Sequence, residues 1–176
     1  MDDSLLGRIR DGDLDAFTQL VRAHEQRLLR VAFRIVGNQA DAEDVRQAVL
    51  LRLWQQPNTV PEAERILAWL HRCIANESIS LLRRRKRERS RNEAFASGTE
   101  QHASAQNLNE ENEFIALAME QLSGEQRAIL AFRFDEKMTV RQIADLLELP
   151  HTTVHAKLQR AIQTLRSKLG STMEVD

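Results

Sequence analysis

Apolar residues recur at helical spacing from the start of the chain, which predicts two consecutive helices. Ser4 is a candidate N-cap for a short helix that Gly12 ends. Asp13 is then expected to cap a longer helix, and Gly37-Asn38 to supply its left-handed stop. The apolar positions that share one face of the longer helix are Phe17, Leu20, Val21, Leu28, Val31 and Ile35.

Two further helices follow, and the second of them becomes strongly basic. Asp41 is expected to start a helix that runs to Trp54, with acidic residues in its first turn, where the helix dipole favours them. After a loop over residues 55–60, Pro61 suits the first position of another helix. This last helix continues into residues 83–91, where seven of nine residues are basic.

The helical pattern dissolves over about twenty residues in the middle of the chain. The residues there are small, polar and aperiodic, which is typical of a linker, although a long surface loop within one domain is the alternative. We therefore predict an N-terminal domain over residues 1–91, a linker over residues 92–111 and a C-terminal domain over residues 112–176.

The C-terminal part has clearer helix starts and stops than the N-terminal part. Residues 123–126 and 139–142 each have the form of a capping box, so each predicts the start of a helix. Pro150 forces a break, and a final helix is expected to begin around Thr152. Its apolar stripe comprises Val154, Leu158, Ala161, Ile162, Leu165 and Leu169.

Composition supports an all-α protein of two small helical domains. Aromatic residues make up 5% of the chain, there is no Tyr, and six Gly and three Pro are few for a β-sandwich or barrel. The longest apolar run, residues 114–119, is too short to span a membrane, so we expect no membrane insertion and a cytoplasmic location. Cys73 is the only cysteine, which excludes an internal disulfide and a multi-cysteine zinc site.

The net charge of −1 conceals two separated basic segments. The first is residues 83–91, and the second is residues 149–173, which hold four basic residues and no acidic ones. Residues 92–113 between them contain five acidic residues and neither Lys nor Arg. This distribution indicates a polyanion contacted at two places, but a solvated helix end explains residues 83–91 equally well.

The predicted helices on either side of Pro150 have the pattern of a helix-turn-helix. Ala144 is small where two helices must cross closely, and Leu149 and Val154 tie the turn to the core. The outward residues of the final helix can donate to phosphates and base edges, which favours DNA recognition over an ordinary solvated hairpin. These outward positions are Thr152, Thr153, His155, Lys157, Gln159 and Arg160.

Several of these segments resemble the extracytoplasmic-function (ECF) sigma factors. Residues 122–127 and 142–166 are similar to the start and the helix-turn-helix of that family's C-terminal domain. Residues 40–54 resemble its polymerase-binding helix, and residues 68–84 resemble its promoter-melting helix. The likeness covers nearly the whole chain outside the predicted linker, with the motifs in the family's order.

The chain departs from the family pattern at a few functional positions. The usual Gln-Glu pair is Gln47-Ala48, and the Asp common before Leu-Leu-Arg-Arg is Ser80. The turn Gly is Glu148, which must tolerate a left-handed conformation at some cost. Residues 152–157 replace Gly-Thr-Val-Lys-Ser-Arg. These departures affect the promoter sequence that is recognised rather than the fold.

The resemblance implies that the chain directs core RNA polymerase to promoters. Its N-terminal domain would dock on the clamp of the largest subunit, its C-terminal domain would lie near the flap, and an anti-sigma factor is a further candidate partner. The implied polymerase contacts are Asp41, Asp44, Gln47 and Arg52. The implied minus-ten contacts are Arg72, Asn76, Arg83, Arg84 and Arg85, of which Asn76 would hold an extruded base. The implied minus-thirty-five contacts are Thr152, Thr153, His155, Lys157 and Arg160.

The sequence supports other sites and functions less well. His151 and His155 stand four residues apart but lack a third ligand, and no catalytic motif is present, so we expect no metal, cofactor or enzymatic activity. Trp54 and Trp69 could stack on bases, yet their register favours the core. A free-standing regulator that dimerises through its N-terminal half is the alternative function. A pure protein-interaction module would leave the basic run without a ligand.

Overall fold

The computed structural model describes residues 2–61, 65–95 and 118–170, and all regular structure within those ranges is helical. The prediction of an all-α fold is therefore confirmed. The N-terminal helices are α1 (Asp2–Arg10), α2 (Leu14–Val36), α3 (Gln39–Gln55) and α4 (Ile66–Phe95), with a 3-10 turn at Pro57–Thr59. The C-terminal helices are α5 (Gly124–Leu130), which continues as a π turn (Ala131–Asp135), α6 (Val140–Leu147) and α7 (His151–Gly170).

Helix α2 has the predicted caps, whereas α3 begins earlier than predicted. The Asp13 carboxylate accepts a hydrogen bond from Ala16 N at 3.0 Å, and Gly37 closes the helix with φ 90°. Asn38 follows directly and its side chain accepts from the backbone N–H of Asp41 at 2.9 Å. Because Asn38 is the N-cap, α3 starts at Gln39, and Asp41 lies inside its first turn rather than before it.

Three other predicted helix boundaries need correction. Helix α1 begins at Asp2, so Ser4 lies inside it and is not its N-cap. Pro61 is not helical, and α4 begins at Ile66, while residues 62–64 lie outside the described residues. Helix α4 then extends to Phe95, past the predicted domain boundary at residue 91. Most of the predicted linker lies within residues 96–117, which are also outside the described residues.

The N-terminal core lies around α2, which packs against α1, α3 and α4. The largest fully buried side chains here include Leu20, Leu28, Leu53 and Leu70, each of which stabilises the fold by about 1.5–3 kcal/mol through burial. Trp69 and Cys73 are buried in the same core, and Trp54 is half-buried, so the predicted core placement is confirmed for Trp69.

The C-terminal helices have the predicted helix-turn-helix geometry. Both capping boxes form, one between Ser123 and Gln126 and one between Thr139 and Gln142. Glu148 adopts the left-handed conformation that its place in the turn requires, with φ 54° and ψ 41°. The small side chain of the buried Ala144 allows α6 and α7 to lie close together.

The two halves of the protein pack against each other. Helix α5 lies on α2 and α4, and α6 lies on α4. A Cβ atom at Gly124 would lie only 3.2 Å from Leu82 Cδ1 and 3.3 Å from Ile79 Cα, so the start of α5 needs glycine to approach α4 this closely. The sequence predicted two domains but not this contact between them.

Candidate nucleic-acid interface

Helix α3 presents one continuous exposed stripe to solvent. Three of the implied polymerase contacts, Asp44, Gln47 and Arg52, lie on it. Val45, Val49 and Leu53, on the other side of the helix, are buried. Leu51 also lies on the stripe with 53% of its surface exposed, although the sequence analysis did not single it out. Leu51 follows Asp44 by seven residues, a spacing that returns to the same helical face. The sequence could therefore have indicated that Leu51 lies on the stripe.

Asp41 is placed differently from the other three predicted polymerase contacts. It is only 7% exposed, and its carboxylate accepts a hydrogen bond from Arg85 Nη2 at 2.5 Å and another from the Asn38 side chain. Asp41 therefore ties α4 to the start of α3. It does not lie on the outward stripe.

The predicted minus-ten residues follow one another along α4. Asn76 is exposed, and so are Arg83, Arg84 and Arg85 at the start of the basic run. Arg72, one helical turn before Asn76, is half-buried, and its Nη1 lies 3.1 Å from Glu148 Oε1 in the turn of the C-terminal domain. Part of this surface is thus in contact with the helix-turn-helix.

The predicted minus-thirty-five residues lie on the outer side of α7. Thr152, His155 and Arg160 are exposed, whereas Thr153 and Lys157 are half-buried. The buried stripe that holds the helix in place consists of Val154, Leu158 and Ala161. The five predicted residues thus lie along one helix, and three of them are on its exposed surface.

Glu125 connects the two predicted DNA-binding surfaces. Its Oε2 lies 2.8 Å from Lys157 Nζ, and its Oε1 lies 2.5 Å from Arg83 Nη2. The hydrogen bond from Lys157, together with the charges of Lys157 and Arg83, lowers the pKa of the Glu125 carboxyl. The sequence analysis treated Glu125 only as part of a capping box.

A second cluster between the domains is formed by buried polar groups. His71 on α4 is 1% exposed, its ring centroid lies 5.6 Å from that of Phe132, and its Nε2 lies 3.7 Å from Glu136 Oε2. Burial lowers the pKa of His71 to about 4, although the Glu136 charge opposes this shift. Glu136 in turn accepts a hydrogen bond from Arg27 Nε at 2.6 Å.

Arg127 forms a buried hydrogen bond across the interface. Its guanidinium Nη1 donates to the carbonyl oxygen of Ile35, in the last turn of α2, at 3.1 Å. Burial lowers the pKa of the Arg127 guanidinium, while the charge of Glu120 raises it. Arg127 thereby satisfies one of the carbonyls that a helix end leaves without an intrahelical partner.

The described residues contain neither a metal-binding cluster nor a membrane-spanning helix. His151 and His155 are both exposed, and the described part of the chain holds no group of His, Cys, Asp or Glu residues that could bind a metal ion. Among the helices of residues 2–61, 65–95 and 118–170, none combines the length and apolarity that crossing a bilayer requires.

Comparison with known proteins identifies both halves of the chain. Residues 20–88 match the family described as Sigma-70 region 2, and residues 118–167 match Sigma-70, region 4. The ECF RNA polymerase sigma factor SigL of Mycobacterium tuberculosis is 34% identical, over 83% of this chain and 84% of its own length. The chain belongs to the ECF RNA polymerase sigma factors. ECF sigma factor SigW of Bacillus subtilis is 22% identical, over 92% of this chain and 93% of its own length.

Solved sigma-factor structures share the fold. CnrH in complex with the cytosolic domain of CnrY has a TM-score of 0.70 and 22% identity, and it covers 97% of both chains. The sigma factor RpoE of Bartonella quintana, in complex with the anti-sigma factor NepR, has a TM-score of 0.67 and 22% identity. That match covers 93% of this chain and 99% of RpoE. The N-terminal half of this sigma factor is thus region 2, and the C-terminal half is region 4.

Membership in the family establishes the general function of the chain. It is an RNA polymerase sigma factor, which directs polymerase to specific promoters for transcription initiation. Sigma factors regulate transcription by binding. The exposed stripe of α3, the α4 surface and the outer side of α7 are therefore candidate binding surfaces.

Proposed function

We propose that α3, α4 and α7 of this sigma factor each bind a different target. Helix α3 docks on the clamp of the largest polymerase subunit, α4 contacts the minus-ten element and α7 recognises the minus-thirty-five element, with region 4 near the flap. The observation that carries this proposal is the exposure of polar residues on each of the three helices, on faces opposite their buried stripes. The family resemblance supplies the order of the three contacts.

The docking surface on α3 consists of Asp44, Gln47, Leu51 and Arg52. These side chains combine one acidic, one amide, one basic and one apolar contact within two helical turns. Exposed apolar residues surrounded by polar ones are typical of protein–protein contacts. Asp41 supports this surface indirectly, because its ion pair with Arg85 holds α3 against α4.

At the minus-ten element the two parts of α4 have different roles. Arg83, Arg84 and Arg85 neutralise phosphates, since guanidinium groups bind phosphate without reading sequence. Asn76 lies two helical turns earlier and its amide both donates and accepts, which suits the edge of an unstacked base. Arg72 lies on the same helix, one turn before Asn76, and contributes a positive charge nearby.

At the minus-thirty-five element, α7 offers hydroxyl, imidazole, ammonium and guanidinium donors. Lys157 and Arg160 are the residue types most often used to contact guanine in the major groove. Thr152, Thr153 and His155 precede them on the same helix. Because residues 152–157 depart from the family pattern, the recognised sequence is specific to this chain.

We further infer that this sigma factor works in the cytoplasm, without catalytic activity, and that an anti-sigma factor regulates it. Every surface assigned above binds a macromolecule, and none carries a nucleophile activated by a base. Both solved relatives described above are complexes, one with the anti-sigma factor NepR and one with the cytosolic domain of CnrY. Co-purification of the tagged chain from its own cells tests for such a partner.

The docking assignment is tested by core polymerase pull-down followed by run-off transcription. Asp44→Lys and Gln47→Ala should weaken core binding, because they remove contacts from the exposed stripe. Glu43→Lys is the matched control, since Glu43 neighbours the stripe but lies off it, beside Gln39. Unchanged polymerase affinity in both stripe variants would remove the docking assignment. Self-association of the chain without core binding would instead favour the free-standing regulator.

The two DNA contacts are distinguished by their salt and sequence dependence. Neutralising Arg83 and Arg84, while leaving Arg85 in its ion pair with Asp41, should weaken holoenzyme binding evenly across promoters and lower the salt slope by about one unit per lost contact. Replacing Lys157 or Arg160 should reduce the binding free energy by about 1–3 kcal/mol for promoters with particular bases in the minus-thirty-five element. If both sets of variants lose affinity in the same sequence-independent way, the assignment of base recognition to α7 is wrong.

A further inference from the structure

The exposed stripe of α3 becomes largely apolar toward the end of that helix. Leu51 and Trp54 follow Gln47 by four and seven residues, and both spacings return to the same helical face. Leu51 is 53% exposed and Trp54 is half-buried. The polar part of the stripe is therefore continuous with an apolar part.

The start of α2 supplies the other half of this apolar surface. Helices α2 and α3 are joined by residues 37–38 alone and pack as an antiparallel pair, which places the start of α2 beside the end of α3. The ring centroids of Phe17 and Trp54 lie 5.1 Å apart. Leu14, one helical turn before Phe17, is 61% exposed. We refer to Leu14, Phe17, Leu51 and Trp54 as the apolar patch.

Core packing accounts for the two rings of the apolar patch but not for its two leucines. Phe17 and Trp54 are partly buried against the N-terminal core. Leu14 and Leu51 lie at opposite ends of this ring pair, because the two helices run in opposite directions, and each keeps more than half of its surface in water. An exposed apolar surface around a tryptophan that a partner can cover is typical of a protein-binding site.

The charges around the apolar patch favour a protein partner over DNA. None of its four residues is charged, and the exposed neighbour of Leu14 is Asp15, whose carboxylate repels phosphate. The cation next to Leu51 is Arg52, and its guanidinium carbon lies 6.0 Å from the ring centroid of the buried Trp69. Surfaces that bind DNA need several cations along the phosphate backbone.

The size of the apolar patch indicates which protein covers it. A stable interface between two copies of a chain buries about 800 Å² on each partner, far more than two leucines and the edges of two rings provide. The patch therefore needs an adjoining surface, and the polar stripe of Asp44, Gln47 and Arg52 is continuous with it. The partner of the patch is thus the partner of the stripe.

We propose that the apolar patch anchors core RNA polymerase, so that the docking surface extends from α3 onto the start of α2. A polymerase segment with an apolar face lies across both helices and covers Leu14, Leu51 and the Trp54 ring, while Asp44 and Gln47 orient it. The start of α2 lies before the residues that match region 2. This inference rests on the proposed docking of α3 and adds a second helix to it.

Replacement of Leu14 tests the proposal, because this side chain is exposed and lies outside the α3 stripe. Leu14→Gln should weaken binding of core polymerase to the immobilised full chain about tenfold, and Leu14→Met, which restores an apolar side chain, should bind nearly as well as the native chain. The control is Phe33→Gln, which removes an exposed apolar side chain of the same helix about 28 Å farther along it. Circular dichroism and the melting temperature verify that each variant is folded.

Protection of a cysteine measures contact at the patch directly. Leu14→Cys is combined with Cys73→Ala, so that residue 14 carries the only thiol of the chain. Saturating core polymerase should slow alkylation of that thiol at least tenfold, as read by mass spectrometry of the sigma-factor peptide. Phe33→Cys in the same background is the control, and its alkylation rate should stay unchanged.

The outcomes distinguish this proposal from the docking assignment on which it rests. Weaker core binding by Leu14→Gln together with protection of residue 14 supports the anchor. Native affinity of Leu14→Gln, while Asp44→Lys and Gln47→Ala weaken binding, would overturn the anchor and leave docking through α3 in place. Native affinity of all three variants would overturn both.

Other occupants of the apolar patch give different results in the same assays. Protection of residue 14 by a second copy of the chain, with self-association that Leu14→Gln abolishes and no protection by core polymerase, would assign the patch to a dimer. Protection by a DNA duplex alone would assign it to DNA. Either result would overturn the proposal.

Discussion

Acidification should weaken the contact between regions 2 and 4 through His71. The ring is buried against Phe132, and neither of its nitrogens has a hydrogen-bond partner within the described structure. Burial is the main cause that lowers its pKa from 6.5 to about 4. Of the charged groups that face it, Glu136 opposes the shift, while Arg27 and His24 add to it. The closed form therefore holds His71 neutral at pH 7.

The sign and size of the effect follow from this pKa difference. Between pH 6.5 and pH 4, an open or unfolded chain binds a proton on His71 that the closed chain excludes. The closed form is thus fully favoured above pH 6.5 and loses stability as the pH falls. With full hydration of the ring on opening, the loss reaches about 2 kcal/mol at pH 5, or roughly a thirtyfold change in the closing equilibrium.

Energy transfer between labels at Gln19 and Gln163 measures this opening between pH 7.5 and pH 5. We expect the closed population to decrease in the chain with native His71 and to stay constant in His71→Leu, whose side chain is apolar and does not titrate. His155→Gln is the control for an exposed histidine. Identical pH curves for the native chain and His71→Leu would refute the assignment of this effect to His71.

Other predictions concern the core, a helix cap and strand opening. Leu70→Ala should lower the free energy of unfolding by about 2–5 kcal/mol in urea titrations, because Leu70 is fully buried; a smaller loss would mean that the site collapses around the cavity. Thr139→Ala should lower the free energy of unfolding by about 1 kcal/mol in the same titrations, since it removes the N-cap of α6. Asn76→Ala should preserve duplex binding but reduce permanganate reactivity of minus-ten thymines, and a normal footprint would exclude the base-pocket role.

Local signals in the sequence were sufficient for most helix ends. Side chains at Asp13, Ser123 and Thr139 cap the helices that they precede, because each needs only backbone groups two or three residues away. The start of α3 was predicted two residues late, since Asn38 was grouped with the stop of α2 although it caps the next helix. A short polar residue in a tight connection can either end the preceding helix or cap the following one.

Contacts between distant residues could not be predicted from the same signals. Asp41 was expected to face polymerase, but Arg85, forty-four positions later, pairs with it and holds it inside. Arg127 and Glu136 both make contacts with α2 that no local pattern in the sequence indicated. Such roles depend on how the domains meet, which helical periodicity does not encode.

The closed interface has a consequence for how the sigma factor responds to its own abundance. Regions 2 and 4 are joined through residues 96–117, and tethering gives each an effective concentration near the other on the order of millimolar. Contacts that would dissociate between separate molecules can therefore persist in cis. Dilution does not release these contacts, because the two regions belong to one chain and their effective concentration is independent of the protein concentration. Release therefore requires a competitor that binds one of the two touching surfaces.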